Sequence, residues 1–579
     1  MLEKRERRRI LYLSAVTAIG LYAVLYVFTH FHYDLNDDVI LMRSFAGNVG
    51  GVRETFNLYT HTLMAWLLHG LSMLWPSVAW FSALQVCLLA SATVAVLASV
   101  TRQVRQAGRS LWLGWLAAVA LVCCFLLPYL TSITYTTTAA VLGTAAVCMA
   151  LSVDPYAKTV TVVRSVFLSF LWLMFAYMLR QVAAWPLMGF WLGALACVYV
   201  LPARDQRPPL RPLLIALFIC GLTLGLLVLI RILDIHFSGQ AAYLQWQQAR
   251  ISAIDYGGIS NAPAEALASV GWTESERQLA LQWYFLDGNM TTQAFEILAQ
   301  YAQTLSLRDA VRAILRLLTH SGLTLSLLGL LLFGVAVACV RGMLHHVRNG
   351  WQYLMPVGCA AATGGALLYL AAQGRLPMRA AVTVLLPACA VVTWLALRKG
   401  KPALPEGNAR RWGNRILAVL AAGLLCYGVA TAWVNVYNPI FSRGISAQTR
   451  FDRLESYVRA HTDLLFVADN AFGYDSRLFP DMSQAATENV LYHWGSWNNH
   501  SQGYQTLLEK YGFATDSIAP EDWLTGHVRL VEPTGQQPEA LLLYLQERLG
   551  APVEAVPEAQ GEGFDVLLLR YATSNALGS

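Results

Sequence analysis

Apolar segments long enough to cross a bilayer recur along this chain, and short basic runs separate every second pair of them. The segments cover residues 10–29, 77–100, 111–130, 133–153, 165–181, 185–201, 212–233, 322–340, 352–372, 380–397 and 416–436. About twenty apolar residues span the hydrocarbon core as a helix, because lipid offers the backbone no hydrogen-bond partner. The basic runs are Lys4 to Arg9, Arg102/Arg105/Arg109, Lys158/Arg164, Arg204/Arg207/Arg211, Arg341/Arg348 and Arg398 to Arg415. If each segment crosses once, all of these runs fall on the side of the N-terminus. That is the charge bias of cytoplasmic loops. The expectation is a polytopic α-helical membrane protein with about eleven transmembrane helices, a cytoplasmic N-terminus and an extracytoplasmic C-terminal region.

Composition agrees. Of 579 residues, 56% are hydrophobic and 13% charged, about half the charged fraction of a soluble domain. The net charge of +6 sits in the loops between spans and does not indicate a nucleic-acid partner; the implied partner is the lipid bilayer. All ten cysteines lie in apolar segments, so neither a disulfide framework nor a cysteine zinc site is expected outside the membrane. The first segment is long for a signal peptide, and no small-residue cleavage site follows it. It reads as an uncleaved anchor.

Residues 57–76 are also apolar but carry His61, His69 and Ser72. A crossing here would force the run at Arg102 outside. The segment is therefore expected as an amphipathic helix at the outer interface, with Trp66, Trp75 and Trp80 at headgroup depth. The resulting division is a transmembrane module over 1–234 with an acidic external loop at 30–76, a helical extracytoplasmic insert at 235–320, further transmembrane helices over 321–436, and an extracytoplasmic α/β domain at 437–579. In the insert, Thr273 to Glu276 reads as a capping box opening a helix through Phe285, and Ser306 to Asp309 opens another. In the C-terminal region, apolar runs at 464–468, 528–531 and 566–569 alternate with amphipathic stretches at 451–460 and 539–549. The last residues, 572–579, read as a disordered tail.

The chain has no G-x-x-x-x-G-K-[ST], G-x-S-x-G or H-E-x-x-H motif. Its chemistry must come from groups gathered at the outer membrane face. The densest such group is Asp34, Asp37 and Asp38, directly after the first span. On a helix these three share one face. Their mutual repulsion should raise at least one pKa unless a cation compensates, which suits a general base or a metal site; a solvated acidic turn is the plainer alternative. Arg180 closes the fifth span, and Arg375 and Arg379 fill the outer loop before the tenth. These cations break the inner-loop charge bias. They either face a cavity, where arginine grips phosphate, or snorkel to the headgroups. His30, His32 and His61, with the three aspartates, could hold a divalent metal such as Zn or Mn, or be ordinary interfacial histidines. Trp494, Trp497, Asn498, Asn499 and His500 would suit sugar stacking and hydrogen bonding, or turn and packing roles.

An inward N-terminus, an acidic pair just outside the first span, an interfacial helix in the same loop, many spans and a C-terminal extracytoplasmic domain together resemble the GT-C superfamily of membrane glycosyltransferases. The resemblance lies in layout and covers nearly the whole chain, although the insert at 235–320 has no counterpart in it. It implies a polyprenyl-phosphate-linked sugar as donor and a glycan, lipid or protein acceptor of the cell envelope. The family's acidic pair would be Asp37 and Asp38, with Asp37 the base, and Arg180, Arg375 and Arg379 would match donor-phosphate contacts by position. Two other classes remain: a transporter or flippase of lipid-linked saccharides, which would favour mid-span charges and repeated halves, and a non-catalytic membrane scaffold.

Overall fold

The computed structural model describes residues 4–572 apart from 30, 203–205, 345–349, 399–414, 416–418, 435–444, 484–487 and 492–495. His30, Trp494, most of the last basic run and nearly all of the expected tail lie outside the described residues. The N-terminal part runs α1 (Lys4–Phe28), β1 (His32–Tyr33), α2 (Asn36–Ala46), α3 (Thr62–Leu74), α4 (Trp80–Gln106), α5 (Leu111–Phe125), α6 (Leu127–Thr131), β2 (Ser132–Ile133), α7 (Tyr135–Leu151), α8 (Thr159–Leu179), α9 (Gln181–Val200) and α10 (Arg211–Phe237). Next come α11 (Ala241–Arg250), a π-helical turn at Ile251–Asp255, α12 (Gly258–Asn261), α13 (Ala264–Ser269), α14 (Glu274–Leu281), α15 (Thr292–Ala299) and α16 (Leu307–His320). Then follow α17 (Gly322–Leu344), α18 (Trp351–Ala372), α19 (Met378–Leu397) and α20 (Val419–Val434).

Among the described residues eight helices, α1, α4, α8, α9, α10, α17, α18 and α19, are long and apolar enough to cross a membrane. The chain is a helical membrane protein. The shorter apolar helices α3, α5, α7 and α20 fall on the segment at 57–76 and on three of the segments read as spans. The segment at 111–130 is not one continuous helix: α5 ends at Phe125 and α6 restarts with Pro128 in its first turn, a position where proline's missing N–H costs nothing.

Helix α7 is the centre of the bundle. Every residue in it except Met149 is buried, and it packs against α4, α8, α9 and α19. Its alanines, threonines and Gly143 keep its surface low, so neighbours approach closely. A Cβ on Gly143 would lie 2.5 Å from a Leu187 methyl. Helix α10 behaves oppositely: Leu214, Phe218, Leu222 and Leu226 are exposed, as lipid-facing side chains are.

One end of the bundle carries the basic residues. Arg102 and Arg105 of α4, Glu6 of α1, Asp154 after α7 and Arg398 after α19 line one pocket there, and Arg105 pairs with Glu6 at 2.5 Å. The other end carries the C-terminal residues, built from α21 (Ile445–Ala460), β3 (Leu465–Ala468), β4 (Val490–Leu491), α22 (Gln502–Lys510), β5 (Val528–Glu532), α23 (Glu539–Leu549), β6 (Val553–Gly561) and β7 (Phe564–Tyr571). The strands form one sheet in the order β4-β3-β5-β7-β6. Strands β4, β3 and β5 run parallel, and β7 is antiparallel to β5 and β6. Phe451, Leu454 and Val458 of α21 cover one face. The other face shares a core with the insert, where Trp246, Trp272, Phe285 and Phe295 join Leu507, Leu541 and Leu545. Glu276 pairs with Arg548 across this join and accepts from the Thr273 N–H at 2.7 Å. Helix α14 stops at Leu281, short of the expected Phe285, because Trp283 adopts φ +67°.

Candidate functional site

Helix α2 is buried along almost its whole length, from Asp38 to Phe45. That is why it lacks an amphipathic stripe: it lies between the bundle and the C-terminal sheet and meets protein on all sides. Its start is set by a short parallel pairing of β1 with β2, His32 against Ser132 and Tyr33 against Ile133. The ladder continues as the Asp34 N–H donates to the Ile133 carbonyl at 3.1 Å. The bend after the helix uses Gly47, Gly50 and Gly51, all at positive φ. At Gly50 a Cβ would fall 2.2 Å from the Gly503 carbonyl oxygen, so only glycine lets these two backbones touch.

The helix begins at Asn36, which corrects the expectation that the three aspartates share one helical face. Asp34 precedes the extended N-cap residue Leu35 and is held by its backbone, its carbonyl accepting from the Tyr474 hydroxyl at 2.6 Å. Asp37 and Asp38 occupy the first turn, where the helix dipole favours negative charge, and their surroundings differ. Asp38 is fully buried. Its Oδ1 accepts from the Tyr135 N–H at 2.7 Å and from the Gln85 amide at 3.4 Å, so it caps α7 from outside. Burial pushes its pKa well above the usual carboxylate range; the Tyr135 N–H opposes this, the Asp37 charge adds to it, and Gln85 and Arg379 oppose it. Its Oδ2 has no hydrogen-bond partner among the described residues. Asp37 is half-buried, and its Oδ1 accepts from the Trp497 indole N–H at 2.9 Å.

The cations gather at the same end. The Arg180 guanidinium lies between two rings, 4.5 Å from the centre of Tyr59 and 5.0 Å from that of Tyr135, in a cation–π arrangement. It sits at the junction of α8 and α9 in extended geometry, within electrostatic reach of Asp37 and Asp38. Arg379, in the first turn of α19, lies within reach of Asp38. Arg375 is paired with Asp255 of the π-helical turn. No ion pair among the described residues involves Arg180 or Arg379. One end of the bundle thus holds an accessible carboxylate, a buried carboxyl and two arginines with no carboxylate salt bridge.

The histidines do not join them. His61 caps α3: its Nδ1 accepts from the Leu63 N–H at 3.2 Å, and its Nε2 donates to the Leu227 carbonyl at 2.8 Å. Both ring nitrogens are used, so His61 has no lone pair for a metal. His32 lies in β1, its backbone bridged to Arg477. Among the described residues no group of three or more histidine, cysteine or carboxylate side chains could hold a metal ion.

Sequence reasoning missed several members of the site. Gln85 is a polar side chain inside an apolar segment, and that alone was a signal. Tyr59, Tyr135, Arg250 and Asp255 gave none; they are brought in by tertiary packing, with Arg250 and Asp255 acting on Tyr59. The C-terminal residues also fasten α2 in place. Arg43 pairs with Glu455 at 2.8 Å with both side chains buried, 4% and 7% exposed. Asn48 donates to the Met482 carbonyl at 3.0 Å, and Glu54 accepts from the Gly503 N–H at 3.1 Å. Comparison with protein-family models, curated proteins and solved structures finds no match, so the site is read on its own geometry.

Proposed function

We propose that this chain is a membrane glycosyltransferase of GT-C type, moving a sugar from a polyprenyl-phosphate donor to an extracytoplasmic acceptor. In this reading eleven helices cross the cell membrane, the N-terminus is cytoplasmic, and the end of the bundle carrying Asp37 faces outward. One observation carries the reading: Asp37, the accessible carboxylate, shares its end of the bundle with Arg180 and Arg379, which have no carboxylate salt bridge. A carboxylate and two guanidiniums are the groups an acceptor hydroxyl and a departing phosphate require.

The acceptor hydroxyl oxygen attacks the anomeric carbon, and the bond from that carbon to the phosphate oxygen breaks. The bonding pair leaves with the polyprenyl phosphate, and the hydroxyl proton passes to Asp37. Arg180 and Arg379 stabilise the charge that grows on the phosphate. Arg375 fixes Asp255 beside Tyr59 and so shapes the wall. Activation resides in the donor, so no nucleotide is needed on that side.

Two measurements test this. Arg180→Ala and Arg379→Ala should each weaken binding of a polyprenyl-phosphate sugar in detergent by about 10–100-fold, the worth of a charge-assisted hydrogen bond. Unchanged affinity in both would remove them from the donor site. For orientation, cysteines placed at Ser269 and Gln537, both exposed, should react with an impermeant reagent in intact cells, and one at Ser110 only after lysis. The reverse pattern would turn the bundle over and end the reading.

A further inference from the structure

A cavity of about 320 Å³ opens between the insert and the C-terminal residues, and Asp37 is not part of its lining. One wall is aromatic. The His500 ring lies tilted against Trp246 with centroids 4.5 Å apart, and Tyr243 lies beside it. His500 is one of two non-glycine residues at positive φ among the described residues, +71°, a conformation that costs free energy and points to a fixed use.

The other wall is polar. Asn499 is buried, and its Nδ2 donates to the carbonyls of Phe285 and Asp516, the latter at 2.8 Å. Two carbonyls therefore decide which way the amide faces. Its Oδ1 is buried and has no hydrogen-bond partner among the described residues, and Asn499 is one of the residues that line the cavity. A buried acceptor without a partner is destabilising, and a donor group that reached it would relieve this. Asp287, Asp516, Gln505, Gln240, Thr291 and Thr292 add to the polar lining, which contains no lysine or arginine among the described residues. A phosphate or uronate would meet two carboxylates and no cation. A lipid tail would meet mostly polar surface.

We propose that this cavity binds a neutral saccharide unit of the acceptor. The aromatic wall takes the C–H face of the sugar ring, and Asn499, Gln505 and the two aspartates take its hydroxyls. The proposal rests on the glycosyltransferase reading and gives the acceptor its chemical class. Location supports it. The Tyr243 hydroxyl donates to the Trp497 carbonyl at 2.9 Å, as does the Gln247 amide, and the Trp497 indole donates to Asp37. Trp497 thus links a residue lining the cavity to the candidate base by hydrogen bonds.

The test uses the full chain in nanodiscs, probed with immobilised neutral oligosaccharides (cello-, malto-, manno- and N-acetylglucosamine series) and with oligouronates. The parent protein and Asp37→Asn should both bind a neutral series, because the cavity lies apart from the base. Ala242→Trp, at an exposed helical position on the rim, should abolish that binding with the melting temperature unchanged. Gln505→Ala should weaken it at least tenfold. Retention in both cavity variants, preference for uronates, or no glycan bound by the parent would each overturn the proposal. Glycan binding that disappears in the cavity variants, with no transfer from any polyprenyl-phosphate sugar, would sustain the cavity and end the glycosyltransferase reading. Transfer whose acceptor KM is unmoved by both cavity variants would do the opposite.

Discussion

Asp37→Asn is expected to slow sugar transfer by roughly 10²–10⁴-fold, about 3–5 kcal/mol on the barrier, the usual loss for a positioned base. Donor binding should stay near that of the parent protein. Asparagine keeps the shape of the side chain and an oxygen that can accept from the Trp497 indole, but it cannot take up a proton at neutral pH. The neighbouring position is the control. Asp38 is buried and its pKa is pushed up, so an amide resembles its neutral form, and Asp38→Asn should cost far less rate. The measurement is single-turnover transfer from a polyprenyl-phosphate sugar by purified protein. If Asp38→Asn were inactive and Asp37→Asn intact, the two roles would have to be exchanged. If both were silent, the chemistry would lie elsewhere.

A second large effect is expected at the fastening of α2. Arg43 and Glu455 are both almost fully buried, so removing either takes the ion-pair contact from the other in a poorly solvated place. Arg43→Ala should destabilise the protein by about 3–5 kcal/mol, and Glu455→Ala by a similar amount. Replacing both, as Arg43→Met with Glu455→Leu, should recover most of the loss, because a packed apolar pair of similar volume is often as stable as a buried ion pair. Thermal unfolding of the four proteins in one detergent reads this directly. Equal damage in the single and double variants would mean that the side chains act through packing alone. Transfer should fall with stability in the single variants, since α2 carries Asp37 at its other end.

The membrane helices were legible because lipid imposes a simple rule. A long apolar run must become a helix wherever it crosses, whatever its neighbours. Residues 111–130 form two helices where the sequence suggested one, because hydropathy does not register a local backbone break such as the one before Pro128. The acidic pair stood out as a candidate because carboxylates beside a membrane are costly, and Arg180 for the same reason. What could not be read was pairing. Asp255 with Arg375, Glu455 with Arg43 and Trp497 with Asp37 are separated by 120, 412 and 460 residues, and no local pattern links them. His61 shows the converse failure. As a residue type it suggested a ligand, but in its place it is a helix cap with both nitrogens committed. Asp34 failed likewise, since the helix starts two residues after it.

The contacts between α2 and the C-terminal residues also bear on the protein's birth. The ribosome makes Asp37 early and its partner Trp497 460 residues later. At 5–20 residues per second, roughly 20–90 s pass between the two. Throughout that interval Asp37 lacks its indole partner and the bend at Gly50 lacks the backbone it meets, and for most of it Glu455 has not yet been made. A nascent or prematurely terminated chain can therefore hold its helices in the membrane and still have no finished site.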